Sequence, residues 1–193
     1  MTSVDSEKFG NYIKTQEQAW LDIFSTYIPE EKTIKIGNGF GYLSELVRPL
    51  TKELSVLDIK TYPLTINKDV VQIYDGLTIP YPDKSFDTAI IVFTLHHIPQ
   101  SRKYFQEIMR VTKKRIIILE ETYDNIFQKL HLYYRDWLIN KKAEQSCGLH
   151  WKSYFSRKEL NRLIKSNKLI EIYRLTKKHK SYFKELAILD IHP

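Results

Sequence analysis

Five short apolar runs, separated by polar or turn-forming residues, limit the fold of this chain more than any other feature. They occupy residues 33–36, 55–59, 70–73, 89–93 and 115–119. Runs that are apolar on both faces are typical of central parallel strands. Between the last two runs, apolar residues recur at helical spacing at Tyr104, Phe105, Ile108 and Val111. This spacing predicts a crossover helix over residues 101–111, so the pattern favours an α/β fold.

The rest of the chain completes this architecture. Its periodicity predicts helices over residues 7–27, 42–50, 126–139 and 157–166, and strands over residues 169–175 and 183–191. The short connection between those two strands favours an antiparallel pair. We expect a Rossmann-like three-layer α/β sandwich whose mostly parallel seven-stranded sheet ends in an antiparallel closing strand. One domain would cover residues 1–193, with an N-terminal helical segment (1–28), a core (33–121), a helical insert or lid (122–168) and closing strands (169–193).

Charge and cysteine content limit the possible functions only loosely. The net charge of +7 is spread over 193 residues, so contact with RNA is possible but no focused basic patch is indicated. Cys147 is the single cysteine, which excludes an internal disulfide and fits a reducing compartment. The six histidines lack metal-ligand spacing beyond one adjacent pair, so no metal site is predicted. Without an apolar signal segment or membrane span, we expect a soluble cytoplasmic protein.

A glycine-rich loop, Gly37-Asn38-Gly39-Phe40-Gly41, stands between the first predicted strand and the first helix after it. Glycines there let a backbone approach a ligand closely. Asp58 ends the second strand 21 positions after Gly37, near the spacing at which an acid meets a ribose. Asp75 and Gly76 follow the third strand, where a carboxylate could accept from an adenine amine. Together they indicate a nucleoside site, although each alone could be a turn or cap residue.

A dinucleotide is the nearest competing ligand. The third glycine of a dinucleotide-binding loop would fall at Tyr42, which makes that ligand less favoured.

The order of these motifs resembles a known family. The glycine loop, Asp58, Asp75-Gly76, the stretch Pro80-Tyr81-Pro82-Asp83-Lys84-Ser85-Phe86-Asp87 and then Leu95-His96-His97-Ile98 are similar to the type 11 group of class I S-adenosylmethionine-dependent methyltransferases, over roughly residues 33–121. The resemblance implies that S-adenosylmethionine is the cofactor and that the core binds it. The implied cofactor-binding residues are Lys35, Gly37, Asn38, Gly39 and Gly41 at the methionine end, Asp58 and Ile59 at the ribose, Asp75 and Gly76 at the adenine, and Phe93, Thr94 and Leu95 on the floor.

Lys35 is a departure from the family pattern. Such enzymes place Asp or Glu two residues before the first glycine, where it helps to hold the ammonium of the cofactor, whereas this chain has Lys35. Two like charges about 4 Å apart repel by roughly 4 kcal/mol at an effective dielectric near 20. We expect reduced but retained cofactor affinity, with the Lys35 ammonium meeting either the cofactor carboxylate or an acid such as Glu120.

A second departure lies between the second and third strands. Residues 60–69 include Pro63 and are too few for the usual helix. We therefore expect that side of the sheet to be thinly covered, with an apolar face exposed.

The chemistry expected of the fold needs little beyond orientation and proton removal. His96 and His97 follow the fourth strand, where ligands gather, and are the candidate general bases, with packing as the alternative. The aromatic-rich residues 133–137 and 150–155 suit either a substrate lid or helix packing. We expect a small-molecule methyltransferase, and the alternatives are an RNA methyltransferase and a noncatalytic binding or scaffold protein.

Overall fold

The computed structural model describes residues 3–29, 31–142 and 148–192. In chain order the elements are α1 (Ser3–Phe24), β1 (Lys32–Ile36), α2 (Tyr42–Val47), β2 (Glu53–Asp58), β3 (Val71–Ile73), β4 (Phe86–Val92), α3 (Ser101–Val111), β5 (Thr112–Tyr123), α4 (Ile126–Lys142), β6 (Phe155–Ser156), α5 (Arg157–Ser166), β7 (Ile170–His179) and β8 (Tyr182–Asp190). Each predicted helix and strand is present, with ends displaced by a few residues.

The strands form one sheet in the order β3-β2-β1-β4-β5-β8-β7. The strands from β3 to β5 pair in parallel, whereas β8 runs antiparallel to both β5 and β7. This confirms the Rossmann-like α/β sandwich and its antiparallel closing strand. The sheet has eight strands rather than seven, because β6 pairs in parallel with the end of β5. A strand of two residues is too short to leave a periodic signal.

The two faces of the sheet bury separate cores, as alternation along β5 shows. Ile116 and Ile118 point to the face covered by α3 and α5, whereas Ile117 and Leu119 point to the face covered by α1 and α2. All four side chains are fully buried. Successive strand residues face opposite sides, so a continuous apolar run in a central strand requires helices on both faces.

Residues 60–69 contain no α-helix, as predicted, and a short 3-10 turn at Lys68–Val70 overlaps the end of this segment. Ile66, Val70 and Ile73 are exposed at this edge, which confirms the thin cover. Among the residues that the structure describes, no helix has both the length and the apolarity needed to cross a bilayer. Cys147 lies outside the described residues.

Candidate functional site

A cavity of about 530 Å³ opens at the carboxyl ends of β1, β2 and β4, beneath α1 and α4. Its volume lies within the range of about 300–1,000 Å³ that is typical of small-molecule sites. Ligands of open α/β sheets bind at this edge, because the strand order reverses there. Residues 37–40 of the predicted glycine loop, Asp58, Asp75 and both histidines line it.

Two glycines of the loop have different functions. Gly41 is the residue before α2, with φ at +91°, and a Cβ atom there would overlap the Asn67 side chain. Gly39 has φ at +57° and borders the cavity, and a Cβ atom there would meet nothing within 4 Å. Gly41 therefore serves the backbone turn and does not line the cavity, whereas Gly39 leaves open space in which a ligand could lie.

The Asp58 carboxylate holds the glycine loop. Its Oδ2 accepts hydrogen bonds from the backbone N–H groups of Asn38 (2.7 Å) and Gly39 (3.1 Å), and its Oδ1 accepts from Ile59 N–H (2.7 Å). A carboxylate has about four acceptor positions. One acceptor position of Asp58 therefore remains, which is enough for one ribose hydroxyl. Asp58 would then both hold the loop and make the predicted ribose contact.

Both polar atoms of the Asn38 side chain are hydrogen-bonded within the protein. Its amide donates to Asn67 Oδ1 at 2.9 Å, and its carbonyl oxygen accepts from the Ser44 hydroxyl. Thr65 Oγ1 also donates to the Gly39 carbonyl at 2.7 Å. The shortened segment 60–69 therefore stabilises the loop, which was not predicted from the sequence. Polar residues in a segment too short for a helix could have indicated this role.

Asp75 forms the turn at the far end of the cavity. Its Oδ1 accepts from the backbone N–H groups of Leu77 and Thr78, both at 2.8 Å. These bonds lower the pKa of the exposed Asp75 carboxyl. Its second oxygen is not used in that turn. Ile59 and Leu77 are exposed beside it, and such apolar side chains suit the faces of a flat ring.

Glu120, at the end of β5, fixes the segment after β4. Its Oε1 accepts from Thr94 N–H at 2.8 Å and Leu95 N–H at 2.7 Å. Phe93, just before them, has φ at +49°, a left-handed conformation that is uncommon for residues other than glycine. Phe93 and Thr94 line the cavity. Leu95 is wholly buried in the core on the α3 side, which argues against its predicted place on the cofactor floor.

His96 is buried between two carboxylates. Its Nδ1 lies 2.7 Å from Glu120 Oε2, and its Nε2 lies 3.5 Å from Asp136 Oδ2. Burial lowers the pKa of His96, but Glu120, assisted by Asp136 and Glu121, outweighs it and raises the pKa to about 9. At neutral pH the ring is then protonated, with both N–H groups directed at acids. This arrangement argues against His96 as a general base.

His97 has the opposite character. Burial, followed by the positive charge of His96, lowers the pKa of His97 to about 3, so its ring is neutral. Its Nδ1 lies 3.3 Å from the Gly148 carbonyl. A ring that donates from Nδ1 to this carbonyl keeps a lone pair on Nε2. His97 lines the cavity, so of the two histidines it is the one that can accept a hydrogen bond from a ligand, although its low pKa makes it a weak base.

The inner wall is a charged network carried mainly by α4. Arg135 pairs with Glu121 and lies 2.8 Å from Asp136, which also accepts a hydrogen bond from Tyr154 at 2.6 Å. Lys184 Nζ lies 3.9 Å from Glu121. Glu121 and Lys184 were not predicted as wall residues from the sequence.

Some residues of the aromatic-rich segments 133–137 and 150–155 line the cavity, as a substrate lid would, and others pack in the core. Arg135, Asp136 and His150 line the cavity. Tyr154 and Phe155 are buried in the packing, whereas Trp137 on α4 is exposed.

The Lys35 ammonium lies at the base of the glycine loop. Its Nζ donates to the Gly37 carbonyl and lies 3.5 Å from the Asn38 carbonyl. Burial lowers the pKa of Lys35, while the charges of Glu17 and Asp58 act in the opposite direction. The acid predicted to meet Lys35 was Glu120, which instead binds the segment after β4. The acids whose charges act on Lys35 are Glu17, contributed by α1, and Asp58, at the end of β2.

No cluster of three or more metal-binding side chains occurs among the residues that the structure describes.

Comparison with known proteins agrees with this geometry. Residues 34–119 match the family model described as a methyltransferase domain. Over 82 residues the chain is 26% identical to 2-phytyl-1,4-naphtoquinone methyltransferase of Synechococcus elongatus, which covers 40% of this chain and 35% of that protein. The chain therefore spans about a third of the length of the curated relatives it matches.

Solved structures share the fold. The YcgJ protein of Bacillus subtilis has a TM-score of 0.67 at 15% identity, covering 89% of this chain and 97% of that one. Magnesium protoporphyrin IX methyltransferase of Synechocystis, with bound S-adenosylhomocysteine, has a TM-score of 0.63 at 13% identity, covering 100% and 89%. The family match runs from β1 into β5, the strands whose ends form the cavity, so residues 34–119 are similar to a methyltransferase domain.

Proposed function

We propose that this protein transfers the methyl group of S-adenosylmethionine to a small, uncharged acceptor. The observation that carries the proposal is one continuous cavity that extends from Asp58 and Asp75 to His97, beneath α1 and α4. Such a cavity places a nucleoside end and an acceptor end in the same compartment. Two of the similar proteins act, by their names, on a naphthoquinone and on a porphyrin, both small molecules.

The open space at Gly39 and the remaining acceptor capacity of Asp58 fit the nucleoside and its ribose. When bound, the cofactor supplies a methyl group activated by a sulfonium. The chain then has to orient the acceptor and exclude water. His97 would accept a hydrogen bond at Nε2 from a hydroxyl or N–H group of the acceptor.

The acceptor end carries balanced charge. Arg135, Lys184 and protonated His96 face the acids Glu120, Glu121 and Asp136 across the inner wall. Three charges of each sign give this wall no net charge, which favours a neutral acceptor over an ionic one.

Calorimetric titration with S-adenosylhomocysteine tests the proposal. We expect binding below millimolar ligand, and a loss of about tenfold or more in Asp58→Ala, because a charged hydrogen-bond acceptor is removed. Asp69→Ala is the matched control, since Asp69 is exposed and outside the cavity lining. Absence of heat and of a thermal shift in the unmodified protein would refute the proposal and favour a noncatalytic binding protein. Methyl transfer to RNA would favour the RNA alternative.

A further inference from the structure

One face of α1 forms the cavity wall above the glycine loop. Ile13, Gln16, Glu17 and Trp20 all line the cavity, at the three- and four-residue spacing that places side chains on one side of a helix. This face brings a carboxylate, Glu17, to the end of the cavity where Gly37 and Gly39 lie.

Glu17 has an acceptor that the chain leaves unused. Its Oε2 is buried and has no hydrogen-bond partner among the residues that the structure describes. Burial raises the pKa of the Glu17 carboxyl, and the Lys35 charge and a hydrogen bond from the Leu43 backbone oppose that rise. A buried carboxylate oxygen without a partner is unfavourable, so a donor from a ligand would be bound readily there.

Lys35 supplies the opposite charge in the same wall. Its Nζ is held on the carbonyls of Gly37 and Asn38, and it lines the cavity together with Glu17. An acid and a base in one wall complement a ligand end that carries both an ammonium and a carboxylate. In this wall the cation comes from β1, whereas the acid comes from α1.

We propose that Glu17 and Lys35 form the subsite for the amino-acid end of the cofactor, with Glu17 Oε2 accepting from its ammonium and Lys35 facing its carboxylate. This inference rests on the proposed function, because it assigns one end of the same ligand. It also gives α1 a direct part in binding.

Two adenosyl ligands can distinguish binding at this subsite from binding in the rest of the cavity. S-adenosylhomocysteine carries the amino-acid end, whereas 5′-methylthioadenosine lacks it. Glu17→Gln keeps the shape of the side chain and removes its charge. Calorimetry should show about ten- to a hundredfold weaker binding of S-adenosylhomocysteine by this variant, and binding of 5′-methylthioadenosine within about twofold of the unmodified protein. Lys35→Met should weaken S-adenosylhomocysteine selectively in the same way.

Asp22→Asn is the matched control, because Asp22 lies on the exposed side of α1 and the substitution also removes one acid. It should bind both ligands as the unmodified protein does. Equal affinity of Glu17→Gln and the unmodified protein for S-adenosylhomocysteine would overturn the inference and leave the proposed function intact. Equal weakening of both ligands, in a variant whose thermal unfolding is unchanged, would also overturn it. If the unmodified protein bound neither ligand, the proposed function itself would fail.

Discussion

The buried pair of Glu120 and His96 makes the stability of this protein depend on pH in a defined way. Glu120 is wholly buried, and its Oε2 lies 2.7 Å from His96 Nδ1 while its Oε1 accepts from two backbone N–H groups. Glu120→Gln preserves the oxygen that accepts from the backbone and replaces the other by a neutral NH₂ group. His96 can then accept at Nδ1 in its neutral form, so the variant removes the charge interaction with little change of shape.

The size of the effect follows from the pKa of His96, which is raised from 6.5 to about 9. At about 1.4 kcal/mol for each tenfold change in proton affinity, this corresponds to at most about 3 kcal/mol of folding free energy. The folded chain binds the proton more tightly than the unfolded chain. The stabilisation is therefore complete below pH 6.5 and is lost as the pH rises through about 9.

Urea unfolding of the unmodified protein and of Glu120→Gln, from below pH 6.5 to above pH 9, measures this difference. We expect a loss of about 3 kcal/mol at the acidic end that shrinks to less than about 1 kcal/mol at the alkaline end. Glu53→Gln is the control, because its ion pair with Lys32 lies on the surface, where solvent screens the charges, and this variant should unfold like the unmodified protein at every pH. A difference that does not vary with pH, or an NMR titration of His96 with a midpoint near 6.5, would refute the reasoning.

Two further predictions concern the cavity wall. Gly41→Ala should destabilise the fold by about 2 kcal/mol or more in thermal unfolding, because a left-handed backbone is strained and the new Cβ overlaps Asn67. Gly39→Ala should cost only about 1 kcal/mol but weaken S-adenosylhomocysteine binding, and the reverse ranking of the two variants would contradict the assignment of Gly39 to the ligand. His97→Ala should lower methyl transfer without weakening S-adenosylhomocysteine. Because the pKa of His97 is about 3, the activity of the unmodified protein should show no titration of His97 near neutral pH, and an NMR midpoint near 6.5 would count against this.

The sequence predicted most of the fold because its elements carry strong local signals. The apolar runs in β4 and β5, and the amphipathic period of α3, follow directly from burial on one or both sides. The two-residue β6 has no such signal, since its pairing depends on where the end of β5 lies. Local periodicity therefore predicts long elements and misses short ones defined by their neighbours.

The candidate site was predictable where function depends on order along the chain, and was not where it depends on distance in space. The glycine loop and Asp58 follow consecutive strands of a parallel sheet, so topology brings them together. Glu17 is 18 positions before Lys35, in a helix whose position over the loop no local pattern specifies. Similarly, the distance between His96 and Glu120 depends on the pairing of β4 with β5. The raised pKa of His96, which argues against His96 as a base, depends on the same pairing.

The acids of the cavity differ in how far the chain itself uses them. Asp58 holds the glycine loop, Asp75 forms its own turn, and Glu120 fixes the segment after β4. These bonds shape the cavity before any ligand enters, which lowers the ordering cost of binding. They also leave those acids fewer acceptors for a ligand, whereas Glu17 Oε2 is buried and unpaired within the described chain. Discrimination between ligands that carry an amino-acid end and those that lack one should therefore depend on α1 more than on the glycine loop.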